Sequence, residues 1–255
     1  MSTDVSGSPL ARDGVIADTW CRSKYELRSR LSVSPGLYLP LARRKYAGNL
    51  GKVVDRNRTQ IVIDGFQRSA NTFSVTAFQS AQSTPVEVAH HLHAAAQIRA
   101  AVRWKIPTIV LIREPHATIL SHMIRFPCAT ATQAIRNWAR FYESVLDVRD
   151  AVVIADFDQV TADLGEVITE VNSRFGTTFD VFEHTEANVQ RCFELIDQRN
   201  VGRFGSVEDH TVARPSAARD EMKALRRSAL EAPALATLRA RVDRLYEELV
   251  SDRES

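Results

Sequence analysis

Several features that would place a chain in a broad class are missing from this sequence. Cysteine occurs only three times in 255 residues, at Cys21, Cys128 and Cys192, and the spacing is typical of neither a metal site nor a disulfide framework. This scarcity predicts a reducing compartment and a cytoplasmic protein. No apolar run approaches the roughly 18 residues of a transmembrane helix. Residues 1–4 are polar and include an acid, which is unlike a secretory signal.

An excess of charge of one sign is also absent. The chain has 33 basic and 31 acidic residues, a formal net charge of +2, so we expect no nucleic-acid partner. Any basic character must be local, as in a pocket for an anionic ligand. The length suits one α/β domain, and 44% hydrophobic with 25% charged residues is ordinary for a globular chain.

Short apolar runs alternate with helical spacings from about residue 60 onward. Strands are predicted at residues 61–63, 85–91, 108–112 and 151–155. One helix is predicted between the first two strands, at 72–82, and another after the last strand, at 164–175. This alternation predicts an α/β fold with a central, mainly parallel sheet flanked by helices. Residues 1–58, with a turn at 34–36, are interpreted as an N-terminal extension that packs on or near the core, and residues 59–255 as the α/β domain.

The segment from Gly65 to Phe73 joins the first predicted strand to a helix, where α/β proteins commonly bind phosphate. Gly65 predicts a sharp turn, and Arg68 adds a permanent charge. Hydrogen-bond donors come from Ser69, Asn71 and Thr72. A loop that is polar only for solubility is the alternative.

The pattern G-x-x-x-x-G-K-[ST] of nucleoside-triphosphate enzymes is incomplete in this loop. Ala70 stands in place of the second glycine, and Asn71 in place of the lysine that reaches the β- and γ-phosphates. The loop therefore predicts phosphate binding without triphosphate machinery.

A second motif ends the strand at 108–112. Arg113 is followed by Glu114 and Pro115, and Ser121 lies eight residues beyond the arginine. A residue at the carboxyl end of a parallel strand points into the crevice where such sheets bind ligands, and the guanidinium fork suits a phosphate. An ion pair between Arg113 and Glu114 is the structural alternative.

Three histidines lie at the end of the second predicted strand. Strand alternation places His91 and His93 on one face and His90 on the other. Histidine can accept a proton near neutral pH. A purely structural role and a metal site are the alternatives, although no nearby acid or cysteine completes a ligand set.

Together these segments resemble the sulfotransferases that use 3′-phosphoadenosine 5′-phosphosulfate (PAPS). The loop resembles their P-loop-like 5′-phosphosulfate loop, which usually reads basic-Ser-Gly-x-Thr-aromatic, with Ala70 in place of the glycine. The second motif resembles their 3′-phosphate site. The resemblance implies transfer of a sulfuryl group to a hydroxyl or amine of a small-molecule or glycan acceptor, with PAP as product and no metal. It assigns donor binding to Arg68, Ser69, Ala70, Asn71, Thr72, Phe73, Arg113 and Ser121.

The same resemblance assigns catalysis to His91, as general base, and to Arg68. His91 and Leu92 match the end of the family's Lys-Thr-His-Leu stretch, whereas the lysine corresponds to Ala89, so Arg68 or another cation must stabilise the leaving group. His93, His90 and the carboxylate of Glu87 are alternative bases.

Two weaker matches complete the comparison. Phe157 corresponds to the family's aromatic beside the adenine, and Arg203 with Gly205 to a late Arg-x-Gly loop, for which Arg199 and Arg214 are alternatives. Two other functions stay open: a divergent P-loop kinase, and a nucleotide-binding protein without catalytic activity.

Overall fold

The structure is a computed structural model that describes residues 9–49, 51–204 and 217–251. Its strands in these ranges are β1 (Ile61–Gly65), β2 (Val88–His90), β3 (Thr108–Ile112) and β4 (Val153–Asp156). They form one parallel sheet in the order β2-β1-β3-β4. Helices flank this sheet, so the predicted α/β fold is confirmed.

The helices before and within the sheet region are α1 (Pro9–Leu31), α2 (Pro35–Lys45), α3 (Asn71–Ala81), α4 (Ala95–Arg103), α5 (Pro115–Arg125) and α6 (Ala131–Leu146). Those that follow β4 are α7 (Phe157–Ala162), α8 (Leu164–Phe175), α9 (Glu186–Phe204), α10 (Ala217–Glu231) and α11 (Ala236–Ser251). Short 3₁₀ helices lie at Arg149–Ala151 and Pro233–Leu235.

The central strand β3 shows why the sheet is buried on both sides. Ile109 and Leu111 point into a core shared with α3 and α8, whereas Val110 and Ile112 point into a core shared with α5 and α6. All four side chains are at most 1% exposed. Successive residues of a strand face opposite ways, so a continuous apolar run is what a doubly covered parallel strand requires.

Two local predictions were wrong in detail. The predicted strand at 85–91 shortens to β2, because this edge strand ends where His91 takes a left-handed φ of 58°. The predicted turn at 34–36 is instead the start of α2, with Ser34 at the N-cap and Pro35 in the first turn. A Ser-Pro pair suits either structure, because proline presets the backbone angle of a first helical residue.

Polar contacts attach α1 to the core. The Tyr25 hydroxyl accepts a hydrogen bond from Asn137 on α6 at 2.9 Å and lies 2.7 Å from Nε2 of His122 on α5. Glu26 pairs with Arg140 on α6 at 2.6 Å. The first long helix thus packs along α5 and α6.

A disulfide bond between Cys21 and Cys128 contradicts the prediction that the cysteines form no disulfide framework. It links α1 to the segment after α5, across 107 positions of sequence. Sequence spacing could not reveal a pair so far apart, because its proximity depends on helix packing. Cysteine usage therefore no longer supports a reducing compartment. In the described ranges, no helix is long and apolar enough to cross a membrane.

We expect reduction of this disulfide, or Cys21→Ser, to lower the free energy of unfolding by about 3–5 kcal/mol, because the open chain gains the entropy of a long loop. Urea unfolding with and without a reducing agent measures the difference. Cys192→Ser is the control, since that buried thiol is unpaired and its loss should leave the response to reductant intact. A wild-type midpoint that is insensitive to reductant would contradict the prediction.

Candidate functional site

The carboxyl ends of the four strands meet at one edge of the sheet. Because the strands are parallel, this edge brings together the loop after β1, the histidines after β2, Arg113 after β3 and Phe157 after β4. Open α/β sheets bind ligands outside this edge. The segments singled out in the sequence thus converge on one place.

The turn after β1 is not made by its glycine, contrary to the sequence prediction. Gly65 belongs to the strand, and a Cβ atom there would lie 2.1 Å from the carbonyl oxygen of Leu111, so glycine permits the close approach of β3. Arg68 and Ala70 make the turn, with left-handed φ angles of 76° and 60°. Ala70 therefore adopts a backbone conformation that glycine favours.

The side chains of this loop differ in where they lie. Asn71 is buried and donates a hydrogen bond to the carbonyl of Phe66 at 2.9 Å, which holds the loop closed on itself. Ser69 is fully buried, and Phe73 packs in the core against Phe182. Thr72 is exposed at the open side of the loop. The surface offered to a ligand therefore consists of backbone, Arg68 and Thr72.

The N-terminus of α3 has no side-chain cap. Ala70 occupies the N-cap position, whereas α5, α6, α7 and α8 each have a side-chain acceptor from Glu114, Thr130, Asp156 or Asp163. The first N–H groups of a helix lack intrahelical partners and carry a partial positive charge. The start of α3 is therefore suited to an anion.

The two sequence motifs are in direct contact. Nε of Arg68 donates a hydrogen bond to Oγ of Ser121 at 2.9 Å, and Arg113 lies 3.4 Å from the carbonyl oxygen of Arg68. Both guanidinium groups thus contact residues of the other motif, close in the chain to the start of α3. Residues far apart in sequence form one cationic surface.

Arg113 does not form the ion pair considered as an alternative. Its guanidinium stacks on the ring of Phe157, 4.1 Å from the ring centroid. Glu114 accepts hydrogen bonds from the backbone of His116 and Ala117 and so caps α5. Burial lowers the pKa of Arg113, although nearby acids oppose that shift. An anion at Arg113 would therefore meet a partly desolvated charge.

The three histidines form a cluster and do not alternate as predicted. His91 and His93 have left-handed φ angles of 58° and 52°, so the chain leaves the strand geometry on which alternation depends. The Nδ1 atoms of His90 and His91 are 2.6 Å apart, and the rings of His91 and His93 are 5.6 Å apart. In that Nδ1 pair one nitrogen must donate and the other accept, which disfavours protonating both rings.

His91 adjoins the loop after β1. Its Nε2 lies 3.2 Å from the Thr72 hydroxyl at the start of α3. Burial holds the pKa of His91 well below its usual value, and the charges of His93 and His90 add to this effect. His91 is therefore neutral near pH 7 and can accept a proton.

Asp64, which the sequence did not single out, supports the turn formed by residues 90–93, which we call the histidine turn. It is fully buried and accepts hydrogen bonds from the backbone of His93 at 2.9 Å and from Gln97 at 3.0 Å. Burial alone would raise the pKa of Asp64, but the hydrogen bond and charge of His93 outweigh it and the pKa is lowered. An acid directly after the apolar run at 61–63 is the sequence signal that could have identified it.

Other predicted residues lie elsewhere. Glu87 precedes β2, at the opposite edge of the sheet, and pairs with Arg58 at 3.2 Å. Arg203 lies in α9, and its side chain is outside the described part of the chain. Gly205 and Arg214 lie outside it as whole residues. Arg199 donates a hydrogen bond to Thr76 on α3 at 3.2 Å. In the described residues, no group of three potential metal ligands is placed to hold an ion.

Several solved structures are similar in fold to this chain. No family model matches the chain, and no curated protein matches it. The crystal structure of mouse sulfotransferase SULT7A1 complexed with PAP is similar, with a TM-score of 0.41, 11% identity, and coverage of 81% of this chain and 89% of that chain. This likeness is too distant to carry a functional assignment.

Two histidines at this site, His122 buried and His90 half-buried, should make stability depend on pH. His90 and His122, which stacks on Phe66 of the loop, have pKa values lowered by burial to about 4 and about 3. The unfolded chain protonates them near pH 6.5, so it binds more protons than the folded one below that pH. The free energy of unfolding should fall by up to about 1.4 kcal/mol per histidine for each pH unit between 6.5 and 4.

Urea unfolding at pH 7, 6 and 5 checks this slope. His122→Phe should reduce it, whereas Arg99→Gln, which removes an exposed arginine paired with Asp147, should not. An identical slope in His122→Phe would contradict the assignment.

Proposed function

We propose that this chain is a sulfotransferase that moves a sulfuryl group from PAPS to a hydroxyl or amine acceptor. The observation that carries the proposal is the contact between Arg68 and Ser121 beside the uncapped start of α3. It joins the two motifs that resemble opposite ends of the PAPS-binding site.

The donor is a polyanion, and the described residues fit its charges. The N–H groups at the start of α3, with Arg68 and Thr72, would hold the 5′ end, because a helix N-terminus and a guanidinium both favour phosphate. Arg113 and Ser121 would hold the 3′-phosphate. Phe157 already has Arg113 stacked on its ring, so the adenine would lie beside this pair.

Bound PAPS supplies an activated sulfuryl group on its 5′-phosphate. Nε2 of His91 takes the proton from the acceptor as the acceptor atom bonds to sulfur and the bond from sulfur to the phosphate oxygen breaks. Arg68 and the start of α3 offset the negative charge that develops on this oxygen. Thr72 keeps His91 beside the loop, since their atoms are 3.2 Å apart.

A P-loop kinase fits the loop less well. Such an enzyme needs a lysine on the β- and γ-phosphates, and Asn71 occupies that position. The side chain of Asn71 points to the carbonyl of Phe66 and is buried, so it cannot extend to a triphosphate.

PAP should stabilise the protein, and ATP with magnesium should not. At about 100 times its dissociation constant, a ligand adds roughly 2.7 kcal/mol, which raises the Tm by about 5–10 °C. Thermal unfolding measures this shift. Arg113→Gln should weaken PAP binding at least tenfold, because a phosphate-binding guanidinium is lost.

Arg99→Gln is the matched control, because it removes an exposed arginine paired with Asp147 on another part of the surface. It should leave PAP affinity unchanged. Stabilisation only by ATP with magnesium would reject the proposal in favour of a kinase, and stabilisation by neither would reject a nucleotide site.

His91→Gln should lower turnover by about 10²–10⁴-fold while changing PAP affinity less than threefold, because the general base acts on the acceptor. Turnover is measured as sulfate transfer from PAPS to a panel of phenols, alcohols, amines and sugars. His116→Gln is the control. Normal turnover in His91→Gln together with loss of turnover in His93→Gln would identify His93 as the base. PAP binding without any sulfate transfer would indicate a non-catalytic protein.

A further inference from the structure

The segment that precedes β1 runs beside the histidine turn. The carbonyl oxygen of Gly51 accepts a hydrogen bond from the backbone of His90 at 2.9 Å. A Cβ atom at Gly51 would lie 3.2 Å from the carbonyl oxygen of Val88, so this close docking on β2 favours glycine. The residue after Gly51 is therefore held next to the end of β2.

The other end of this segment is fixed as well. Val54 is fully buried, and its N–H donates a hydrogen bond to Gln97 at 2.8 Å. The same Gln97 donates to Asp64, which also binds the backbone of His93. Lys52 thus lies between two anchored points, one on β2 and one on Gln97, which in turn binds the Asp64 carboxylate.

The ammonium group of Lys52 donates a hydrogen bond to the backbone carbonyl of His91. It also lies 5.4 Å from the ring centroid of Tyr46, which limits its freedom. A lysine or arginine side chain would not fit at position 89 of β2, because Ala89 is 1% exposed and packs in a core with Val54 and Val62. The cation at the histidine turn therefore comes from outside β2.

We propose that Lys52 is a positioning residue of the active site, which holds His91 against Thr72 by binding the His91 carbonyl and places a positive charge beside the base. This inference rests on the proposed function, and on His91 being the base. A left-handed residue such as His91 is strained by about 1–2 kcal/mol, so an added backbone contact helps to keep it in place.

The charges around His91 determine what loss of Lys52 would do. The titratable groups that act on His91 are His90 and His93 on the same turn, Asp64 on β1 and Lys52. Burial is the main cause of the low pKa of His91, and the charge of Lys52 lowers it further. Removal of this charge should therefore raise the pKa of His91.

The test compares Lys52→Met with Lys52→Arg and with Lys45→Met. Lys45 is the matched control, because its ammonium also lies near the Tyr46 ring, at 5.1 Å, and carries the same charge. Titration of ring-labelled histidines by NMR, with His91 assigned from His91→Gln, measures the pKa directly. We expect the pKa of His91 to be higher in Lys52→Met than in the wild type and unchanged in Lys45→Met.

Turnover gives the second readout. Lys52→Met should lower kcat about 10- to 100-fold with PAP affinity changed less than threefold, and Lys52→Arg should restore most of it. The activity of Lys52→Met should fall as the pH is lowered over a range where the wild type is unaffected. An unchanged His91 titration in Lys52→Met, or a loss of PAP affinity as large as the loss of kcat, would overturn the inference.

The two proposals fail separately. If the wild type binds no PAP and transfers no sulfate, the proposed function is wrong, whereas the NMR titration still decides whether Lys52 acts on His91. If Lys52→Met does not fold, Lys52→Gln, which keeps a hydrogen-bond donor without the charge, takes its place in both measurements.

Discussion

At the carboxyl end of β1, the buried carboxylate of Asp64 accepts hydrogen bonds from the backbone of His93 and from Gln97 on α4. A fully buried carboxylate is tolerated only when it is well bonded, so the turn after β2 must adopt the shape that brings the His93 N–H to it. The left-handed angles at His91 and His93 follow. The histidine cluster, and with it the contact between His91 and Thr72, depends on this one constraint.

The cations around these turns come from segments that are distant in sequence. Arg68 lies in the loop after β1, Arg113 contacts the backbone of Arg68, and Lys52 contacts the turn after β2. Partial burial of a guanidinium is unfavourable, which the lowered pKa of Arg113 reflects. An anionic ligand would offset the cost of this burial, so an arrangement that costs stability in the free protein would favour binding.

The first helix is part of the site's support. Tyr25 contacts His122, which stacks on Phe66 of the loop, and Cys21 is bonded to Cys128 after α5. The position of α5, which carries Ser121, is therefore coupled to α1. A region whose sequence contains no readable motif thus holds one wall of the proposed donor site in place.

The sequence by itself determined the parallel α/β sheet, because apolar strand runs and helical spacings are local patterns that report burial directly. It also located the loop at 65–73 and the Arg113 motif, since each is a short segment at a strand end. Only the tertiary structure decided which residues meet: Asp64 with His93, Arg68 with Ser121, Lys52 with His91, and Cys21 with Cys128. These contacts join positions 29 to 107 residues apart, and such proximity depends on how the strands and helices pack.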